Sequence, residues 1–265
     1  MMKNHVVIFI DLLGFSNAVC SAKSDQENSN LLELLTTYTK LNNHGTFNKI
    51  FPADEDGSRR IISEPAFTAF SDSILISYSI STGEEIFDNH YVHLLELIRL
   101  IAWVADRALR KGFLIRGGIS KGEMSHKKDE FFGKAYIEAH NLESKHAIYP
   151  RVLVSNKMVD YIPKSNDRPH FVEDVDGRYR LNYIPEMIFK NHDKVGDVLN
   201  GQALKDQIKE YEAIINKNIN PILPSKEPLL PEKEMSKWKW FSNQFNMARD
   251  YWYSHPSGKY FFMDN

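Results

Sequence analysis

A single cysteine, Cys20, stands in 265 residues. That excludes both an intrachain disulfide and a thiolate metal cage. Excess charge is also missing: 33 Lys and Arg face 35 Asp and Glu, for a formal net charge of -2. A balance of that kind gives no general nucleic-acid surface. No apolar run has the length of a membrane span, since the most apolar helical stretch, 94–108, is interrupted by Glu96, Arg99 and Asp106. A signal-peptide pattern is lacking too, because Asp11 breaks the first apolar stretch. The expectation is a cytoplasmic protein with neither a membrane nor a nucleic acid as partner. Internal repeats and low-complexity tracts are absent as well.

What the chain does have is concentrated at its start. His5-Val-Val-Ile-Phe-Ile10 runs straight into Asp11, followed by Leu12-Leu13-Gly14-Phe15. This predicts a buried strand ending in an acid, then a tight turn into a helix. Burying a carboxylate is costly unless a cation meets it. A second acid, Asp72, lies in Phe70-Ser71-Asp72-Ser73, between strand-like runs at 64–70 and 74–80. Helical spacing covers 16–43, His90–Arg110 and Lys134–His146, and further strands are predicted at 113–120 and 151–155. The order is β-α-β-β-α-β-α-β.

Such an order predicts an α+β fold with a split βαβ sheet of the ferredoxin or polymerase-palm type. In that topology the third strand inserts antiparallel beside the first, so Asp72 at its start meets Asp11 at the end of the first. Two carboxylates so placed suit Mg²⁺ or Mn²⁺, which prefer hard oxygen ligands and bridge to phosphates. Free N–H groups where Leu12–Ser16 turns into helix suit phosphate oxygens. Read from type alone, Asp11 and Asp72 also fit a helix cap and a turn residue, and Phe15 fits either core packing or the wall of a base pocket. Arg116, after the apolar run 113–115 and before two glycines, fits a paired strand-edge arginine or a guanidinium aimed at phosphates. Lys121 and Lys134 are further cations of that region. The 44–62 stretch reads as a polar loop and 171–184 as a hairpin with an Asp-Gly turn. Helices at Gly201–Ile219 and Glu232–His255 follow, separated by a linker bearing Pro221, Pro224, Pro228 and Pro231. Residues 1–185 are expected as one catalytic domain and 186–265 as a helical C-terminal extension, with Trp238, Trp240 and Trp252 packing that tail.

Four ordered motifs within residues 5–160 carry a resemblance. Asp11-Leu-Leu-Gly14-Phe15 and Phe70-Ser-Asp72-Ser resemble the two metal motifs of class III nucleotidyl cyclases. Ile115-Arg116-Gly-Gly-Ile119-Ser-Lys-Gly122 and Gly133-Lys-Ala-Tyr-Ile137-Glu-Ala139-His-Asn141-Leu-Glu143 resemble their later strand and glycine-to-helix segment. The resemblance implies two divalent ions, Mn²⁺ or Mg²⁺, held by Asp11, Asp72 and the carbonyl of Leu12. It also implies a catalytic, substrate-binding Arg116 and a homodimer. Where purine cyclases carry an asparagine and an arginine on the late helix, this chain has Ile137 and Asn141. The adenine-reading lysine falls near Ala66, flanked by Pro65 and Phe67. The pattern resembles instead the compact bacterial pyrimidine cyclases of the Pycsar antiphage system. That implies a pyrimidine ribonucleoside triphosphate substrate, UTP or CTP, and a downstream effector that binds the cyclic product. An inactive cyclase-like signalling module and a purine cyclase are the alternatives.

Overall fold

The apolar run at the start folds as β1 (Lys3–Leu13) in a computed structural model that describes residues 2–39, 65–79, 90–127, 130–159, 170–189, 201–220 and 232–254. The polar loop at 44–62 and the proline-bearing linker lie outside the described residues. β1 is central because it is apolar on both faces. Val6, Ile8, Ile10 and Leu12 enter the main core, whereas Val7 and Phe9 join a smaller core with Leu75, Met124, Ala135 and Ala139. This period-two division is what the pleat of a strand imposes.

β2 (Ala66–Phe70), β3 (Ser73–Ser79) and β4 (Leu114–Lys127) complete the centre of the sheet. β3 pairs antiparallel with both β1 and β2, and β4 pairs antiparallel with the other edge of β1. The spatial order β2-β3-β1-β4 is the split βαβ arrangement expected from the sequence. The sheet continues through β6 (Val152–Val154), β8 (Tyr179–Leu181) and β7 (Phe171–Glu173). β5 (Glu130–Gly133), which sequence periodicity misses, pairs only with the far end of β4.

The first helical region is broken into α1 (Phe15–Ser21) and α2 (Asp25–Thr39). The break follows from local chemistry: Glu27 accepts the backbone N–H groups of Lys23 and Ser24, starting a second helix there. α3 (His90–Arg110) ends at Gly112, whose φ of 82° is left-handed. α4 (Lys134–Asn141) continues into a π-helical turn, Leu142–His146, within the range read as one helix. α5 (Asn156–Val159) follows β6, and α6 (Ile184–Phe189) follows the β7–β8 hairpin, whose turn has Gly177 at φ 73°.

The tail forms α7 (Gly201–Ile219) and α8 (Glu232–Ser254). Leu204, Ile208, Tyr211 and Ile215 of α7, and Trp238, Phe241 and Phe245 of α8, are buried in the main core shared with β1. Trp240 stacks on Tyr149, and the Arg180 guanidinium lies over its ring. α7 is further fixed by Asp106, fully buried on α3, which accepts hydrogen bonds from the Tyr211 hydroxyl and from Arg110 Nε.

Candidate active site

The two acids meet because of strand register. Asp11 stands opposite Ser73 on β3 and opposite Arg116 on β4. β1 runs two residues past Asp11, to Leu13, so the acid sits inside the β1–β4 ladder instead of ending the strand. Asp72 lies in the two-residue turn joining β2 to β3. There Ser71 takes a φ of 53°, a conformation that costs a non-glycine residue energy. The Leu12 N–H donates to the Asp72 carbonyl at 3.0 Å, and Ser16 Oγ donates to Asp72 Oδ2 at 3.2 Å. The turn is therefore tied both to β1 and to the start of α1. Gly14 supplies the bend between them with a φ of 86°.

Arg116 is held by two carboxylates. Its Nε donates to Asp11 Oδ2 at 2.9 Å and lies 2.8 Å from Glu143 Oε1. The second approach is an ion pair without hydrogen-bond alignment, and Glu143 Oε1 is a buried acceptor with no hydrogen bond. Burial pushes the Glu143 carboxyl up to about 7; Arg116 opposes that shift, and the charges of Asp11 and Asp72 add to it. Burial also raises Asp11, offset by its bond to Arg116 and reinforced by Asp72. Arg116 thus serves two carboxylates, Asp11 and Glu143, and the nearby charge of Asp72 acts on both.

Glu143 lies within one of the sequence motifs, but helical spacing gives no reason to place it at Asp11. It arrives there because α4 packs unusually close to β4. A Cβ built on Gly118 would fall 2.1 Å from the Ala139 carbonyl oxygen and 2.7 Å from Leu142 Cβ. Only glycine admits that contact. Gly117, beside it, similarly lets the Phe9 carbonyl approach.

The other expected site residues fall elsewhere. Phe15 is buried in the main core with its ring 5.6 Å from Phe113. Phe67, which flanks Ala66, is also in the main core, because its side chain lies on the helix-covered face of β2. Ile137 and Asn141 line a cavity of about 310 Å³ along α4, together with Lys134, Glu138, Leu142, His146 and Arg178.

Two oxygen-rich side chains and a nearby backbone carbonyl are the right donor type for Mg²⁺ or Mn²⁺, which fill remaining positions with water and phosphate. Among the described residues no group of three or more His, Cys, Asp or Glu is close enough to hold an ion. Asp11, Asp72 and Glu143 are therefore a charge cluster and not a complete cage. The donor chemistry fits an ion that substrate helps to hold. No described helix is long and apolar enough to cross a membrane.

Neither a family model nor a curated protein matches the sequence. Among solved structures, the adenylyl cyclase CyaB from P. aeruginosa is similar at 16% identity and a TM-score of 0.46, covering 68% of this chain and 94% of that one. A bacterial light-regulated adenylyl cyclase gives 13% and 0.42, covering 69% and 92%. The guanylate cyclase domain of RhGC from Catenaria anguillulae, in complex with GTP, gives 14% and 0.41, covering 67% and 93%. At such identities these are similarities of chain path, and they assign no residue a role.

Proposed function

We propose that this chain is a class III-like nucleotide cyclase that converts UTP, or CTP, to the 3′,5′-cyclic nucleotide and pyrophosphate. The observation that carries the proposal is the pairing of Asp11 with the Asp72 turn, through the Leu12-to-Asp72 backbone bond, at one end of the central strands of a split βαβ sheet. The four motifs, in the order they have in cyclases, support the same reading.

In the proposed reaction the ribose 3′ oxygen bonds to the α-phosphorus, the bond to pyrophosphate breaks, and the hydroxyl proton is released to water. Asp11, Asp72 and the Leu12 carbonyl would hold divalent ions. Such ions acidify a bound hydroxyl and neutralise triphosphate charge. Arg116 hydrogen-bonds and orients the Asp11 carboxylate, and its guanidinium would stabilise charge developing on the phosphate. The remaining parts of the proposal rest on resemblance: activity as a homodimer, a role in antiphage defence, and a downstream effector for the cyclic product. Pyrimidine choice is supported by Ala66, too short to read a purine edge, and by Ile137 on α4, which offers no hydrogen bond.

Incubation of the purified chain with each of the four ribonucleoside triphosphates and Mn²⁺, with product identified by mass, tests the proposal. UTP or CTP should cyclise roughly a hundredfold faster than ATP or GTP, because a missing hydrogen-bond partner is worth several kcal/mol. Asp11→Ala and Asp72→Ala should abolish turnover, and Arg116→Ala should lower it about a hundred- to a thousandfold. Arg116→Lys should recover little, since a point charge does not reproduce the guanidinium fork. Faster purine turnover would overturn the base assignment. Near-normal activity of a folded Asp11→Ala or Asp72→Ala chain would overturn the two-acid site.

A further inference from the structure

The start of α8 is tied to α1, the helix that follows the Asp11 strand. Asn17 Nδ2, on α1 just past the Gly14 bend, donates to Glu234 Oε1 at 2.7 Å. This bond ties the first turn of α8 to the helix that leaves the Asp11 strand. Trp238, Phe241 and Phe245, four, seven and eleven residues beyond Glu234, continue the same stripe of α8 into the main core and fix its phase. Lys237 lies three residues beyond Glu234 and directly before Trp238, so it shares the face turned toward α1 and is half-buried. Its neighbours Lys233 and Lys239 are exposed.

Lys237 is close enough to feel Asp11 and Arg116, and Asp11 in turn feels Lys237. No hydrogen bond or ion pair of its ammonium is found among the described residues. Burial and the Arg116 charge both push its pKa below the ordinary lysine value. An ammonium half-withdrawn from water and repelled by a guanidinium is stabilised by an incoming polyanion. Ile137 and Asn141, at the late-helix positions where the resemblance puts an asparagine and an arginine, are uncharged, and the cations that line the α4 cavity are Lys134 and Arg178.

We infer that Lys237 is a phosphate-binding residue of this site, delivered by the C-terminal helix to the triphosphate of a nucleotide held at Asp11 and Asp72. The inference deepens the cyclase reading and rests on it for the identity of the nucleotide. It makes α8 part of the active site and gives the Asn17–Glu234 bond a role in positioning it.

The test uses the full chain and inorganic tripolyphosphate in the presence of Mg²⁺, measured by titration calorimetry, alongside steady-state cyclisation. Lys237→Gln should weaken tripolyphosphate binding and raise KM by roughly tenfold or more, the scale of one charge-assisted contact. Lys237→Arg should stay within about threefold of the unchanged chain, and Lys239→Gln, an exposed control on the same helix, should match it. All three should melt within a degree or two of the parent, since none fills the core. Wild-type affinity in Lys237→Gln would overturn the inference while leaving the cyclase reading intact. Equal weakening in Lys237→Gln and Lys239→Gln would also overturn it, by reducing the effect to general surface charge. If tripolyphosphate binding depends on Lys237 but no triphosphate is cyclised, the phosphate site stands and the cyclase reading falls.

Discussion

At the scale of single residues, Glu143 sets the pH behaviour of the site. Its carboxyl is 4% exposed, and it faces Arg116 and the charges of Asp11 and Asp72. Its pKa is pushed up to about 7 from an ordinary 4.5, with burial the largest cause. The raised value means that the fold disfavours the ionised form. Below pH 4.5 the residue is protonated whether folded or unfolded and costs nothing. Between 4.5 and 7 the unfolded chain gives up its proton while the folded chain keeps it, so stability falls as pH rises. Above 7 the loss is constant, at about 3 kcal/mol from 1.4 kcal/mol per pH unit. Glu143→Gln removes this dependence. Denaturant unfolding of both chains from pH 4.5 to 8 should show the variant gaining on the parent up to about pH 7 and running parallel beyond. Parallel curves throughout would mean that Glu143 is ionised in the fold at all these pH values.

At the scale of elements, two glycines do different work. Gly118 is required by the approach of α4 to β4: a methyl there meets the Ala139 carbonyl oxygen, which is backbone and cannot turn aside. Gly14 is required only by its left-handed φ, since nothing lies within 4 Å of a Cβ built there. Gly14→Ala should therefore cost about 1–2 kcal/mol and keep the site intact. Gly118→Ala should cost about 1–3 kcal/mol from overpacking and lift α4, carrying Glu143 away from Arg116. Thermal melting and cyclisation measured together separate the cases, with activity falling much further in Gly118→Ala than in Gly14→Ala. Similar activity losses in the two variants would contradict this account of the α4–β4 contact.

At the scale of the whole molecule, the C-terminal helices complete the core. α6 spans the expected boundary at residue 185, with Ile184, Met187, Ile188 and Phe189 all buried. α7 seals Asp106 through Tyr211, and Arg110 pairs with both Asp106 and Glu210. Arg180 of β8 donates to Asp174 and to Gln244 of α8. Without α7 and α8, Asp106 keeps Arg110 but loses the Tyr211 hydroxyl, and a large apolar surface is opened to water. A buried acceptor stripped of a donor costs about 1–3 kcal/mol by itself. Ending the chain at residue 185 should yield aggregated protein or a compact state without fixed near-ultraviolet circular dichroism. A cooperative melt from that fragment would make residues 186–265 a dispensable appendage.

The sequence by itself determined the order of the central strands, the long helices and the two acids, because each is written in local chemistry. The continuous apolar run of β1, the helical spacing of His90–Arg110 and the Asp-Gly turn at 176–177 depend on neighbours a few residues apart, and the split βαβ order then brings Asp11 beside the Asp72 turn. Tertiary structure alone decided what surrounds those acids. Glu143 reaches Arg116 through the glycine contact beneath α4, across 27 residues of chain, and the charge of Lys237 acts on Asp11 from a helix more than 200 residues away. Neither approach leaves a periodic trace in the sequence, because it depends on how two elements pack and not on how either one forms. The same reason puts Phe15, which by type fits either core packing or a base-pocket wall, in the core. A side chain's type states what chemistry it offers, and only the packing of its element states where it is offered.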